Sequence, residues 1–135
     1  MTESPFAAYV SFREIAEVGR LSPALRAQIA VALAGELAGS GLRDVSVAFR
    51  HAVELGVDPG EIALNRRGSS RQPKIAAALD LARRVARGAE EIDALILAGP
   101  RAVGWRDDEI AEIIACVVLR MVDACQPRGP GGGGG

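Results

Sequence analysis

The run Asp107-Asp108-Glu109-Ile110-Ala111-Glu112-Ile113-Ile114-Ala115-Cys116-Val117-Val118-Leu119-Arg120-Met121-Val122-Asp123-Ala124-Cys125 carries the clearest structural signal in the chain. Ile110, Ile113, Ile114, Val117, Val118, Met121, Val122 and Cys125 recur at steps of three and four, the period of a helix buried over a wide face. Asp107 stands where a cap is expected, and Asp108 and Glu109 lie in a first turn whose macrodipole favours negative charge. Cys116 and Cys125 are nine positions apart. Nine residues turn a helix through about 900° and advance it about 13.5 Å, too far for a disulfide. Both cysteines therefore read as small hydrophobes of the core.

The same helical period extends upstream. Phe6, Tyr9, Val10, Phe12 and Ile15 predict a first helix over about 6–18, ended by Gly19. Ser22-Pro23 predicts a capped start for a second, which carries Leu25, Ile29, Leu33 and Leu37 to Gly39-Ser40-Gly41. A third, about 42–55, places Leu42, Val45, Phe49 and Val53 on one apolar stripe and stops at Gly56. Asp58-Pro59 caps a short fourth helix to about Asn65. A fifth restarts at Pro73 after the loop 66–72 and runs to about Arg87, with Ile75, Leu79, Ala82 and Val85 inward. A shorter helix over about 90–97 is expected to end in a turn at Gly99-Pro100 and Gly104. Trp105, just ahead of the last helix, is placed to pack against it. Residues 127–135 are glycine-rich and are expected to be disordered.

Composition agrees with an all-α domain. The 135 residues are 49% hydrophobic and 24% charged, with one Thr and only 4% aromatics, which disfavours sheets and suits one helical core. A net charge of −1 argues against a dedicated nucleic-acid binder. No apolar run reaches the roughly 18–20 residues of a membrane span, and the N-terminus shows no basic segment of a secretory signal. A cytoplasmic location is the expectation. No metal or cofactor site is expected either.

Four pieces, in this order, resemble a known family. They are Leu21-Ser22-Pro23-Ala24-Leu25-Arg26, His51-Ala52-Val53-Glu54-Leu55-Gly56-Val57-Asp58-Pro59-Gly60-Glu61-Ile62, Lys74-Ile75-Ala76-Ala77-Ala78-Leu79-Asp80-Leu81-Ala82 and Gly104-Trp105-Arg106-Asp107-Asp108-Glu109-Ile110-Ala111-Glu112-Ile113-Ile114. Over 21–126 the chain resembles the carboxymuconolactone decarboxylase and alkylhydroperoxidase-D-like superfamily. The resemblance implies an orthogonal bundle of about six or seven helices, assembled as a homo-oligomer, trimer or hexamer, with residues 1–20 as an N-terminal arm able to cover a neighbouring subunit. Peroxidase members carry Gly-Cys-x-x-Cys-x-x-x-His at the start of the third helix and a Glu one helix earlier. Those positions fall here on Gly41 and Asp44 for the cysteines, Ala48 for the histidine, and Ala27 or Gln28 for the acid. A thiolate at a helix N-terminus with a proton relay one turn on is what peroxide chemistry requires, and none of it is present.

Two readings of function follow. In the first, the chain is a family member without thiol peroxidase chemistry, a binding or structural oligomer with a possible small-molecule ligand. In the second, it is an acid–base enzyme, a decarboxylase or isomerase for a small carboxylated metabolite. His51 would then be the general acid or base, Asp44 its orienter, and Arg43 or Arg50 the holder of the substrate carboxylate. His51 lies seven residues from Asp44, on roughly the same helix face. The sequence prefers the plainer assignment, in which His51 is a partly exposed helix residue and Asp44 solvates its first turn. The basic residues Arg66, Arg67, Arg71, Lys74, Arg83, Arg84 and Arg87 read first as a solvated face and second as an anion site.

Overall fold

The computed structural model describes residues 14–17, 19–36, 42–88 and 94–125, and among these all regular structure is α-helical. After a helical turn at 14–17 come α1 (Pro23–Glu36), α2 (Leu42–Glu54), α3 (Pro59–Arg66), α4 (Pro73–Ala86), α5 (Ala94–Ala102) and α6 (Asp107–Cys125). The aromatic stripe Phe6, Tyr9 and Phe12, the stop at Gly39-Ser40-Gly41 and the tail 127–135 lie outside the described residues.

Local chemistry accounts for most helix ends. The Ser22 hydroxyl accepts from Leu25 N–H at 3.1 Å, and the Asp58 carboxylate accepts from Gly60 and Glu61 N–H at 3.0 and 3.3 Å, with Pro59 opening α3. At α6 the expected cap shifts by one residue. Asp107 is already helical, and Glu109 reaches back to accept from Arg106 N–H at 2.9 Å, the acidic half of a capping box. A second difference lies in α5, which passes through Gly99-Pro100 to Ala102 where the sequence predicts a turn. Proline disfavours helical backbone in its predecessor through a clash that involves the predecessor's Cβ, and Gly99 has none. The chain then turns over Pro100, whose carbonyl accepts from Trp105 N–H at 3.0 Å.

The core surrounds α1, where every residue from Ala27 to Leu33 is buried, as expected of a helix with no polar face. Leu25, Ile29 and Leu33 pack with Leu79 and Ala82 of α4, Ile110, Ile113 and Val117 of α6, and Trp105. Trp105 fills this junction as its sequence position suggests, and its indole N–H donates to the Lys74 carbonyl at 2.6 Å. The other flank of α1 is built from small residues, Ala27, Ala30 and Val31 against Ala48, Ala52 and Ile62.

That seam leaves part of the apolar stripe of α2 outside the core. Ala48 and Ala52 face inward, while Phe49 and Val53 remain 43% exposed. An approach close enough for alanines to touch leaves no room for the larger side chains, which are displaced to the flank. Gly35 marks a comparable approach on α3, since a Cβ there would stand 2.3 Å from the Arg66 carbonyl oxygen. Gly35→Ala is therefore expected to destabilise the fold by about 1–3 kcal/mol, read as a lower midpoint in urea unfolding with unchanged slope.

Candidate functional site

Two glutamates are buried in the described structure, and each gathers a different part of the chain. Glu112 of α6 accepts from the backbone N–H groups of Arg20 at 2.6 Å and Leu21 at 3.1 Å, and from the Arg26 guanidinium at 2.5 Å. Arg26 also donates to the Ala16 carbonyl at 2.5 Å. The segment leading into α1 is thereby tied to the last helix.

Glu61 plays the corresponding part at α3. One carboxylate oxygen accepts from Gln28 Nε2 at 3.1 Å, Asn65 Nδ2 at 3.0 Å and the Ser70 hydroxyl at 2.5 Å, and the other from Arg71 N–H at 3.0 Å. Burial pushes this carboxyl up, but the Arg71 N–H, the Ser70 and Asn65 donors and the Arg71 charge together outweigh it, and the group sits below its ordinary value of 4.5. Asn65 also donates to the Ser69 carbonyl at 3.0 Å. Its own Oδ1 is left without a hydrogen-bond partner. The loop 69–72 is thus moulded onto a buried anion.

Glu61 and Gln28 line a cleft of about 490 Å³ together with Ser22, Asp58, Arg71 and Trp105. Asp58 and Arg71 pair across it at 3.2 Å. A carboxylate already holding four donors and lowered in basicity is a poor proton acceptor, so its contribution here is to shape and polarise the wall. Residue order placed Glu61 only inside a family-like segment. Its burial depends on Gln28 of α1, 33 residues away, and on how the α3–α4 loop folds back over it.

The residues singled out on α2 have a different setting. His51 and Arg50 are exposed. Arg50 lines a shallow groove with Ser46, Phe49 and Val53, whereas His51 lines neither that groove nor the cleft beside Glu61. Arg43 and Asp44 lie on the same helix, with side chains outside the described residues. Ala48 and Ala27, at positions the resemblance gives to the relay histidine and its acid, are buried together in the alanine seam. Gln28, the other candidate for the acid position, is bound to Glu61.

Cys116 is half-buried, and burial is the main cause that pushes its thiol up, with Glu112 adding to this and Arg26 and Arg120 opposing it. It is held as a thiol. The Cys125 side chain lies outside the described residues. Arg71 pairs with Asp58 and Arg84 with Asp80; Arg66, Arg67 and Arg83 line one cleft, and Arg83 donates to the Arg67 carbonyl. Lys74 lies over the Trp105 ring, 4.4 Å from its centroid. Among the described residues there is no group of three or more His, Cys, Asp or Glu side chains that could hold a metal. None of the described helices is long and apolar enough to cross a membrane.

Searches against protein-family models, curated proteins and solved structures find no match to this chain.

Glu61→Gln places an amide N–H₂ among groups that all donate, and should cost about 1.5–3 kcal/mol at pH 7. Because the native carboxyl is depressed, its contribution is complete above pH 4.5 and is lost as pH falls through the native value. Urea unfolding of the wild type between pH 6 and 3 should show that acid loss, and the variant should show a shallower one.

Proposed function

We propose that this protein is a non-redox, homo-oligomeric binding protein of the carboxymuconolactone decarboxylase type. The alanine seam between α1 and α2 carries the reading. At the positions where thiol chemistry would need a histidine and its acid, Ala48 and Ala27 pack with Ala30, Ala52 and Ile62, leaving neither a titratable group nor space for one. Gln28, if it occupies the acid position instead, supplies an amide already donating to Glu61. Cys116, on another helix and raised by burial, offers no low-pKa substitute.

Assembly is supported by the exposed face of α2. Among the described residues, the exposed large hydrophobics are Val47 (62%), Phe49 (43%), Val53 (43%) and Leu55 (37%), all on α2 or the residue after it. Phe49 and Val53, one turn apart, share a flank of α2, the pattern of a face covered in an assembly. A trimer or hexamer is the form that the resemblance implies.

Peroxide mixed with a dithiol donor and the protein should disappear at the uncatalysed rate, and Cys116→Ser should change nothing. Turnover that depends on Cys116 would overturn the non-redox reading. In light scattering the wild type should exceed the 14.1 kDa of one chain, and Val53→Asp should lower that mass while keeping the helical circular-dichroism spectrum. A wild type that scatters as a single chain would remove the oligomer from the proposal.

A further inference from the structure

The cleft beside Glu61 has a polar lining that the chain itself does not complete. Gln28 and Glu61 are 5% and 8% exposed, and both line this cavity of about 490 Å³, a volume within the ~300–1,000 Å³ usual for small-ligand sites. Gln28 donates from Nε2 to Glu61 at 3.1 Å. That bond fixes the side-chain amide and leaves its Oε1 without a hydrogen bond among the described residues. The oxygen is not sealed from solvent, so it opens on the cleft that Gln28 lines. A nearly buried amide oxygen with no donor costs stability, and a donor on a ligand would satisfy it.

Glu61 is compensated unevenly. Its Oε2 accepts three hydrogen bonds and its Oε1 only the one from Arg71 N–H, where a carboxylate oxygen has room for two. Ser22 brings a hydroxyl oxygen to the same lining. The charge of the cleft has the matching sign: the carboxylates of Glu61 and Asp58 against the guanidinium of Arg71 leave one negative charge. Lys74 does not line the cleft, and its ammonium lies over the Trp105 ring, 4.4 Å from the centroid. Leu25, Val57, Ile75 and Trp105 supply the apolar part of the lining.

We propose that this cleft binds a primary amine, a monovalent ammonium head on an apolar body. The ammonium donates to Gln28 Oε1 and Glu61 Oε1, with the Ser22 hydroxyl as a third acceptor, and the apolar residues take the body. One positive charge cancels the one negative charge of the lining, and three N–H groups meet three acceptors. A carboxylate would face acceptors and a surplus of its own sign. A quaternary ammonium has no N–H to give Gln28. A divalent cation asks for about six to eight oxygen ligands, and the described residues hold no cluster suited to one. The proposal supplies a ligand class for the binding role above and rests on that reading for its biological sense.

Titration calorimetry with benzylamine, which is protonated at pH 7, and with benzyl alcohol, benzyltrimethylammonium and benzoate tests it. Benzylamine should saturate at one per chain and bind at least about tenfold more tightly than each of the others. Gln28→Met keeps the length of the side chain and removes the acceptor. It should cut the advantage of benzylamine over benzyltrimethylammonium about tenfold, a ratio that a general loss of structure would not change selectively. Asp58→Asn keeps a residue suited to capping α3 and should weaken benzylamine about two- to fivefold by neutralising the lining. Arg84→Gln, which removes the partner of Asp80 outside the cleft, should bind as the wild type does. Absence of saturable benzylamine binding, or an unchanged ratio in Gln28→Met, would overturn the site; benzyl alcohol or benzoate binding as tightly as benzylamine would overturn the ammonium class. Either result leaves the non-redox reading standing, because the peroxide assay reads Cys116 and not this cleft.

Discussion

Everything in the fold is arranged around a helix that has no side left for water. From Ala27 to Leu33 α1 is buried residue after residue, so neighbours must be supplied on all its faces, and α2, α3, α4 and α6 supply them. The two flanks of α1 meet the demand differently. Leu25, Ile29 and Leu33 interdigitate with large residues of α4 and α6, where burial of apolar area is the main stabilising contribution. Ala27 and Ala30 meet Ala48 and Ala52, where there is little side chain to bury and the gain comes from dense contact between closely approaching helices.

A central helix of this kind needs its loops held against it, and two buried carboxylates do so. Glu112 collects the backbone before α1, and Glu61 collects the loop after α3 together with Gln28 of α1 itself. Each anion is compensated by several donors, which is the condition under which burying charge is tolerated. Two clefts follow from this arrangement. One opens beside Glu61. The other lies where α1, α2, the end of α3 and α4 meet.

The alanine seam also determines what α2 presents to the outside. Because the small residues face inward, Phe49 and Val53 are turned out, so two large apolar residues of the predicted stripe stand outside the core. The seam thus accounts for the exposure of Phe49 and Val53. Phe49 lines both the groove beside Arg50 and the cleft at the end of α3.

Residue order alone carried the all-helical class and most helix limits, because caps and stops are local: Ser22, Asp58-Pro59, Gly56 and Pro73 act within a turn of where they stand. It also carried the inward stripes of α1, α4 and α6, whose large apolar residues recur at the helical period. Local signals failed where the deciding partner was distant. The continuation of α5 through Pro100 and the outward turn of Phe49 depend on what packs beside them. So does the burial of Glu61, an acid whose four donors come from α1, from its own helix and from the loop beyond. The meeting of Arg66, Arg67 and Arg83 at one cleft was equally hidden, since they become neighbours only when α4 folds back past the end of α3. Charge and hydrophobicity are properties of residues, but a partner across space belongs to the tertiary structure, and that partner decides whether a given glutamate is held buried and whether a given phenylalanine is core.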